Sequence, residues 1–148
     1  MTTWTSDELS KIAAAEELEI ASVRRGGTVR NPVTIWVVRH ADDLYVRSAY
    51  GRAATWFRGT QDRHEGHIHA GVAKDVLFIE AEDEINDDID AAYRTKYHRY
   101  GARFVNPMVS PEARAATIKL VPRSTSRVTD SRGRVLYYAR RPLGFRQC

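Results

Sequence analysis

The chain of 148 residues holds one cysteine, and it is the last residue, Cys148. An internal disulfide is thereby excluded, and a reducing compartment fits. Long apolar runs are also missing: the stretches at 33–38 and 76–79 fall far short of the about 20 residues a membrane helix needs. Residues 1–10 are polar, include Asp7 and Glu8, and lack the basic segment and apolar run of an export signal, so a cytoplasmic location without membrane contact is expected. There is no G-x-S-x-G elbow, and the terminal cysteine sits in no activating context, which leaves covalent hydrolysis without a recognisable nucleophile. Acids are scarce at one end only. From Arg123 onward seven arginines stand against Asp130 alone, so this stretch carries +6 of a net +4 and the rest of the chain carries −2. The attraction to polyanions that a high isoelectric point suggests is therefore confined to a tail, and a nucleic-acid partner is not expected for the body.

What is present suffices for one core: 43% of the residues are hydrophobic. Thr5 followed by Glu8 makes a capping-box pattern for a helix over 6–15, with Leu9 and Ile12 at helical spacing. A strand is expected at 19–25, and Gly26-Gly27 then permits a turn. The β-branched and aromatic run 33–38, entered through Asn31-Pro32, predicts a central strand buried on both faces. Residues 44–48 alternate apolar and polar, as a half-buried strand would. A short helix is expected over 52–58, with Ala53, Trp56 and Phe57 on one face and Gly59 as its stop. Two further strands, 66–72 and 75–81, turn at Ala73-Lys74. A helix over 87–100 carries a stripe of Ile89, Tyr93, Tyr97 and Tyr100, with acids in its first turn and bases in its last. Residues 117–121 make a sixth strand, ended by Pro122. The expected fold is α+β: a six-stranded antiparallel split β-barrel over residues 1–123 with flanking helices. Residues 124–148 form an arginine-rich extension, either a hairpin turning at 130–133 or a disordered tail.

Two segments combine glycine with fixed positive charge, which phosphate binding asks for. The first is Arg24-Arg25-Gly26-Gly27-Thr28-Val29-Arg30-Asn31-Pro32-Val33. The second is Ser48-Ala49-Tyr50-Gly51-Arg52, followed by Trp56. The order helix, Arg-Arg-Gly-Gly turn, Pro-initiated strand, Leu-Tyr-Val-Arg-Ser strand, Gly, Trp helix, Gly-His-Ile strand and acidic helix resembles that of an uncharacterised bacterial family, domain of unknown function 2255. More distantly, it resembles the split-barrel flavin- and deazaflavin-dependent oxidoreductases. The resemblance spans roughly residues 4–123 as a series of short motifs, and it departs from the latter enzymes in having Arg-Gly-Gly for their Lys-Ser-Gly type turn. It implies a homodimer that binds flavin mononucleotide or a deazaflavin cofactor and moves a hydride to or from a small organic substrate. Arg25, Arg30, Ser48, Tyr50, Gly51 and Arg52 would then lie around the cofactor phosphate and ring. Val33, Ile35 and Trp36 would supply the flat apolar wall that a tricyclic ring needs, and Tyr50 is the one candidate proton donor. Two other readings stay open: a hairpin turn whose arginines merely solvate the surface, and a split-barrel binding module without catalysis. The cluster His64, His67 and His69 offers a weak metal-site alternative, since 67 and 69 share a strand face.

Overall fold

The computed structural model describes residues 3–123, 127–129 and 135–137. Helix α1 (Ser6–Ala14) starts at the expected capping box, in which Thr5 and Glu8 satisfy each other's backbone N–H groups. Strands β1 (Leu18–Ser22), β2 (Val33–Ile35), β3 (Val38–His40) and β4 (Asp43–Arg47) lead into helix α2 (Thr55–Arg63). Strands β5 (Glu65–His69) and β6 (Ala73–Glu80) precede helix α3 (Asn86–Tyr97), the single turns α4 (Ala102–Val105) and α5 (Pro111–Arg114), and strand β7 (Thr117–Pro122). A separate pair, β8 (Arg127–Thr129) with β9 (Val135–Tyr137), is antiparallel. The expected turn at 130–133 and the rest of the extension lie outside the described residues.

Seven strands form one antiparallel sheet in the order β2-β1-β5-β6-β7-β4-β3. Its two edge strands are consecutive in the chain, separated only by Trp36 and Val37. Three residues reach at most about 11 Å, so the sheet curls until its edges nearly meet, giving a split-barrel-like shell. This accounts for the count of seven where six were expected, because the segment 33–38 does not run through as one strand. Nor is that segment central: Val33 is 37% exposed, and each half pairs with a single neighbour. A β-branched run fixes strand propensity but says nothing about position in the sheet. The strand buried on both faces is β4. Its Leu44 and Val46 enter the barrel interior with Ile20, Phe78 and Leu120, while Tyr45 joins Val38, Tyr93 and Tyr97 beneath α3 on the outer face.

Smaller departures have local causes. Helix α2 does not stop at Gly59 but continues to Arg63, where His64 adopts the left-handed conformation that ends it. Strand β1 ends at Ser22, short of Arg25, and the β5–β6 turn falls at 70–72 around Gly71 instead of at Ala73-Lys74. Helix α3 gives way to a tighter turn over His98–Tyr100. No described helix is long and apolar enough to cross a membrane.

Arg47 locks α3 to the barrel. Its guanidinium is fully buried and donates to Thr117 Oγ1 (2.9 Å), Asp90 Oδ1 (2.5 Å), Met108 O (2.9 Å), Asn86 O (3.1 Å) and Asn86 Oδ1 (3.0 Å). Every nitrogen is used, as a charge taken out of water requires. Arg114 closes the arrangement from the surface, reaching the other oxygen of Asp90 at 2.5 Å. Removing one partner of such a pair strands the other. Arg47→Met should therefore destabilise the fold by about 3–5 kcal/mol in urea unfolding. Arg52→Met, which breaks the half-exposed pair with Glu80, should cost under about 1 kcal/mol; equal losses would refute the assignment.

Candidate functional site

A groove of ≈ 250 Å³ opens between α2 and the β1–β2 edge, lined by Ile20, Ser22, Arg24, Arg30, Asn31, Val33, Thr55, Trp56 and Thr60. Each element contributes for a local reason. Strand β1 turns Ile20 and Ser22 to the interior side, in register with Ile68 and Gly66 of β5. The loop from β1 to β2 is pinned by Arg24 N–H to Thr28 O (2.8 Å) and Arg30 N–H to Ser22 O (2.9 Å), which brings Arg30 back over the end of β1. Gly59 lets α2 approach: a Cβ there would stand 2.6 Å from Ser22 Oγ and 2.8 Å from Arg30 Nε. Thus the glycine read as a helix stop is instead a contact point in the helix interior, beside the loop's arginine.

The electrostatics of the groove centre on Arg30. One of its terminal nitrogens pairs with Asp62, and its side chain is 30% exposed. Its Nε is buried and has no hydrogen-bond partner. An unsatisfied buried donor costs about 1–3 kcal/mol, and this one lies against Gly59 of α2. Arg24 makes two long hydrogen bonds within its own loop, to Thr28 Oγ1 (3.3 Å) and Val29 O (3.4 Å). Trp56 and Val33 give the groove apolar walls. Among the described residues the arginines are its only ionisable lining groups.

The structure brings some of the residues singled out from sequence together and separates others. Arg30 and Val33 line the groove, whereas Arg25 lies on the exposed loop, 3.9 Å from Asp62. Ile35 packs against the barrel interior. Trp36 lies under α3, its ring stacked on Tyr97 with centroids 3.9 Å apart. The second segment lies elsewhere, on the turn after β4. Ser48 is buried, its N–H bonded to Ala116 O and its Oγ without a partner. Gly51 has a φ of +79° and its Cβ position is 3.2 Å from Glu112 Cβ, so it serves a tight turn against α5. Arg52 grips Glu80 at 2.7 and 3.1 Å and donates to Ala115 O at 3.0 Å. Those bonds chiefly hold the Glu80 carboxyl below its ordinary pKa. Tyr50 is 86% exposed. None of Ser48, Tyr50, Gly51 or Arg52 lines the groove.

The histidines disperse too. His67 Nδ1 lies 2.5 Å from Asp75 Oδ1, His69 is exposed on the same strand face, and His64 ends α2. Among the described residues no group of three His, Cys, Asp or Glu side chains could hold a metal ion. Ser22, Thr55 and Thr60 escaped the sequence reading, because hydroxyls on a strand end and a helix carry no spacing signature. The one available signal was Gly59, a glycine inside an otherwise continuous helical segment. Gly59→Ala should push Ser22 and Arg30 apart and lower stability by about 1–3 kcal/mol. Gly26→Ala, whose Cβ meets nothing within 4 Å, should be near neutral by thermal melting.

Known proteins place this architecture. The heme storage protein HutZ from Vibrio cholerae superposes with a TM-score of 0.59 at 13% identity, covering 84% of this chain and 92% of that one. A structure described as F420 reductase aligns with a TM-score of 0.45 at 12% identity, covering 80% and 93%. The first of these shows a shared fold. No curated protein sequence matches the chain. A family model described as an uncharacterized protein conserved in bacteria, DUF2255, matches residues 8–120, and the chain belongs to that family.

Proposed function

We propose that the groove between α2 and the β1–β2 edge holds the phosphate-bearing arm of a flavin or deazaflavin cofactor, with Arg30 as the principal anchor. The observation that carries this is the buried, unpartnered Nε of Arg30 in a groove that also presents Arg24 and the hydroxyl-bearing Ser22, Thr55 and Thr60. A phosphate oxygen supplies the missing acceptor once the Arg30 side chain shifts off Gly59, and a charge-assisted bond is the strong kind. The first turn of α2, at Thr55 and Trp56, has no side-chain cap, so its N–H groups favour the same anion. Trp56 and Val33 offer the apolar contact for the ring.

At ≈ 250 Å³ the groove is smaller than a typical cofactor pocket of about 300–1,000 Å³. The rest of the ring would therefore rest against a second surface, for which a second copy of the chain in a homodimer is the natural source. Heme fits the lining poorly, because none of the nine lining residues is a His, Cys, Met or Tyr that could ligate iron. When bound, the cofactor supplies hydride chemistry toward a small organic substrate; the chain binds, orients and neutralises charge. Arg24 and Arg30 hold the arm, and Ile20 and Val33 exclude water from its apolar side. Tyr50, being exposed, would have to be approached by the substrate from solvent.

The absence of an acid or base near neutrality among the lining residues also favours a second reading, a binding module without turnover. Titration of the purified protein with flavin mononucleotide and with a deazaflavin cofactor, followed by Trp fluorescence, separates the outcomes. Saturable binding is expected, weakened by about 10–100-fold in Arg30→Gln and unchanged in Arg52→Gln. If neither compound binds, or if both variants lose affinity equally, the groove is not the site. Binding without any cofactor-dependent reduction across a panel of small carbonyl and enone compounds would select the module reading.

A further inference from the structure

A second concavity, sharing no residue with the first, lies where α1, β3 and α3 meet. It is an open groove of ≈ 510 Å³, lined in part by the small side chains of Ala13, Ala91 and Ala92. Its chemistry comes from Lys96, with Arg39, His40, Asp88 and Thr95 around it. The chain has four lysines. Lys11 is held by Asp7 at 3.2 Å and Lys74 by Glu8 at 2.8 Å. Lys119 lies on β7, with its neighbours on β4 and β6. Lys96 alone lines this groove, half-buried, its Nζ donating to Val37 O at 2.7 Å and lying 5.0 Å from the centre of the Tyr97 ring.

We propose that Lys96 is a reactive amine that takes up small aldehydes bearing a phosphate or carboxylate group, forming a Schiff base in this groove. Three features support it. The carbonyl of Val37 and the Tyr97 ring fix the amine's position without consuming its charge in an ion pair. Burial lowers the Lys96 pKa to about 8, so a sizeable fraction is the neutral nucleophile near neutral pH. Charged groups line the groove with it, Arg39 and His40 on β3 and Asp88 on its own helix, and the Tyr97 hydroxyl shares its bond to Val37 O. Arg39, His40 and Asp88 are already engaged, since Arg39 sits 3.6 Å from Asp42 and His40 Nε2 sits 3.7 Å from Asp88 Oδ2. Arg39 donates through Nε to Ala41 O at 2.7 Å and remains 39% exposed; it is the arginine lining the groove, and so the cation available to the anionic end of the aldehyde.

The step balances without a redox partner. The neutral amine's lone pair attacks the carbonyl carbon, the carbonyl π electrons move to oxygen, and a proton passes from nitrogen to that oxygen to give a carbinolamine. Loss of its hydroxyl with a proton, as water, leaves the C=N bond.

Pyridoxal 5′-phosphate and 5′-deoxypyridoxal, which carry the same free aldehyde with and without the anion, test both halves. The protein is treated with each at pH 7.5, trapped with borohydride, digested and read by mass spectrometry. Lys96 should be labelled at least about tenfold faster than Lys119, with a rate that rises through about pH 8. The phosphate compound should outpace 5′-deoxypyridoxal at Lys96. Arg39→Gln should abolish that advantage while leaving the 5′-deoxypyridoxal rate intact. Uniform labelling of the four lysines, or a slowest Lys96, would overturn the reactive amine; equal rates for the two aldehydes would overturn the anion recognition. Because the readout is a peptide mass and not cofactor binding, it stands or falls separately from the flavin groove.

Discussion

Closure of the sheet at Trp36-Val37 is the constraint on which the remaining structure rests. Where β2 hands over to β3, Val37 leaves the ladder in a fully buried position, so its N–H and C=O must find partners other than water. Helix α3 supplies them. The Tyr97 hydroxyl accepts from Val37 N–H at 3.1 Å and lies 2.7 Å from Glu16 O, while Lys96 donates to Val37 O at 2.7 Å. The Trp36 ring lies flat on Tyr97, with 2° between the planes. Burial drives the Tyr97 pKa up to about 12, so it remains a neutral hydroxyl able to serve as both donor and acceptor.

That seam creates both concavities. On its β2 side the edge strand leaves Val33 uncovered, and α2 packs beside it to form the groove of Arg30. On its β3 side α3 and α1 converge around a groove lined in part by alanines, and Lys96 is drawn inward by the same carbonyl that the kink exposed. Each open edge is short, three residues, which limits its capacity to pair with other chains.

The arginines divide by what surrounds them. Arg47, Arg52 and Arg114 are matched to Asp90, Glu80 and Asp87 and act as fasteners between elements. Arg30 is matched to Asp62 through only one of its nitrogens. Residues 44–48 alternate as a half-buried strand would, a pattern in which a charged side chain ordinarily faces water. Here that face lies beneath α3, whose Asp90 is itself buried. Charge pairing between residues 43 positions apart leaves no local trace.

The α+β class, the capping box of α1, the tyrosine stripe of α3 and most strand positions were legible in the sequence, because periodicity, caps and turn residues act over a few neighbours. The glycine-arginine motifs were equally visible, and from them the two segments could be named but not placed. Tertiary structure alone decided that Arg30 joins Trp56 and Ser22 in one groove while Arg52 turns away to Glu80, that residues 33–38 split across a seam, and that Lys96 lies in a groove of its own. Those outcomes depend on which distant surfaces the curled sheet brings into contact, and that is a property of the closed barrel as a whole, written in no single stretch of residues.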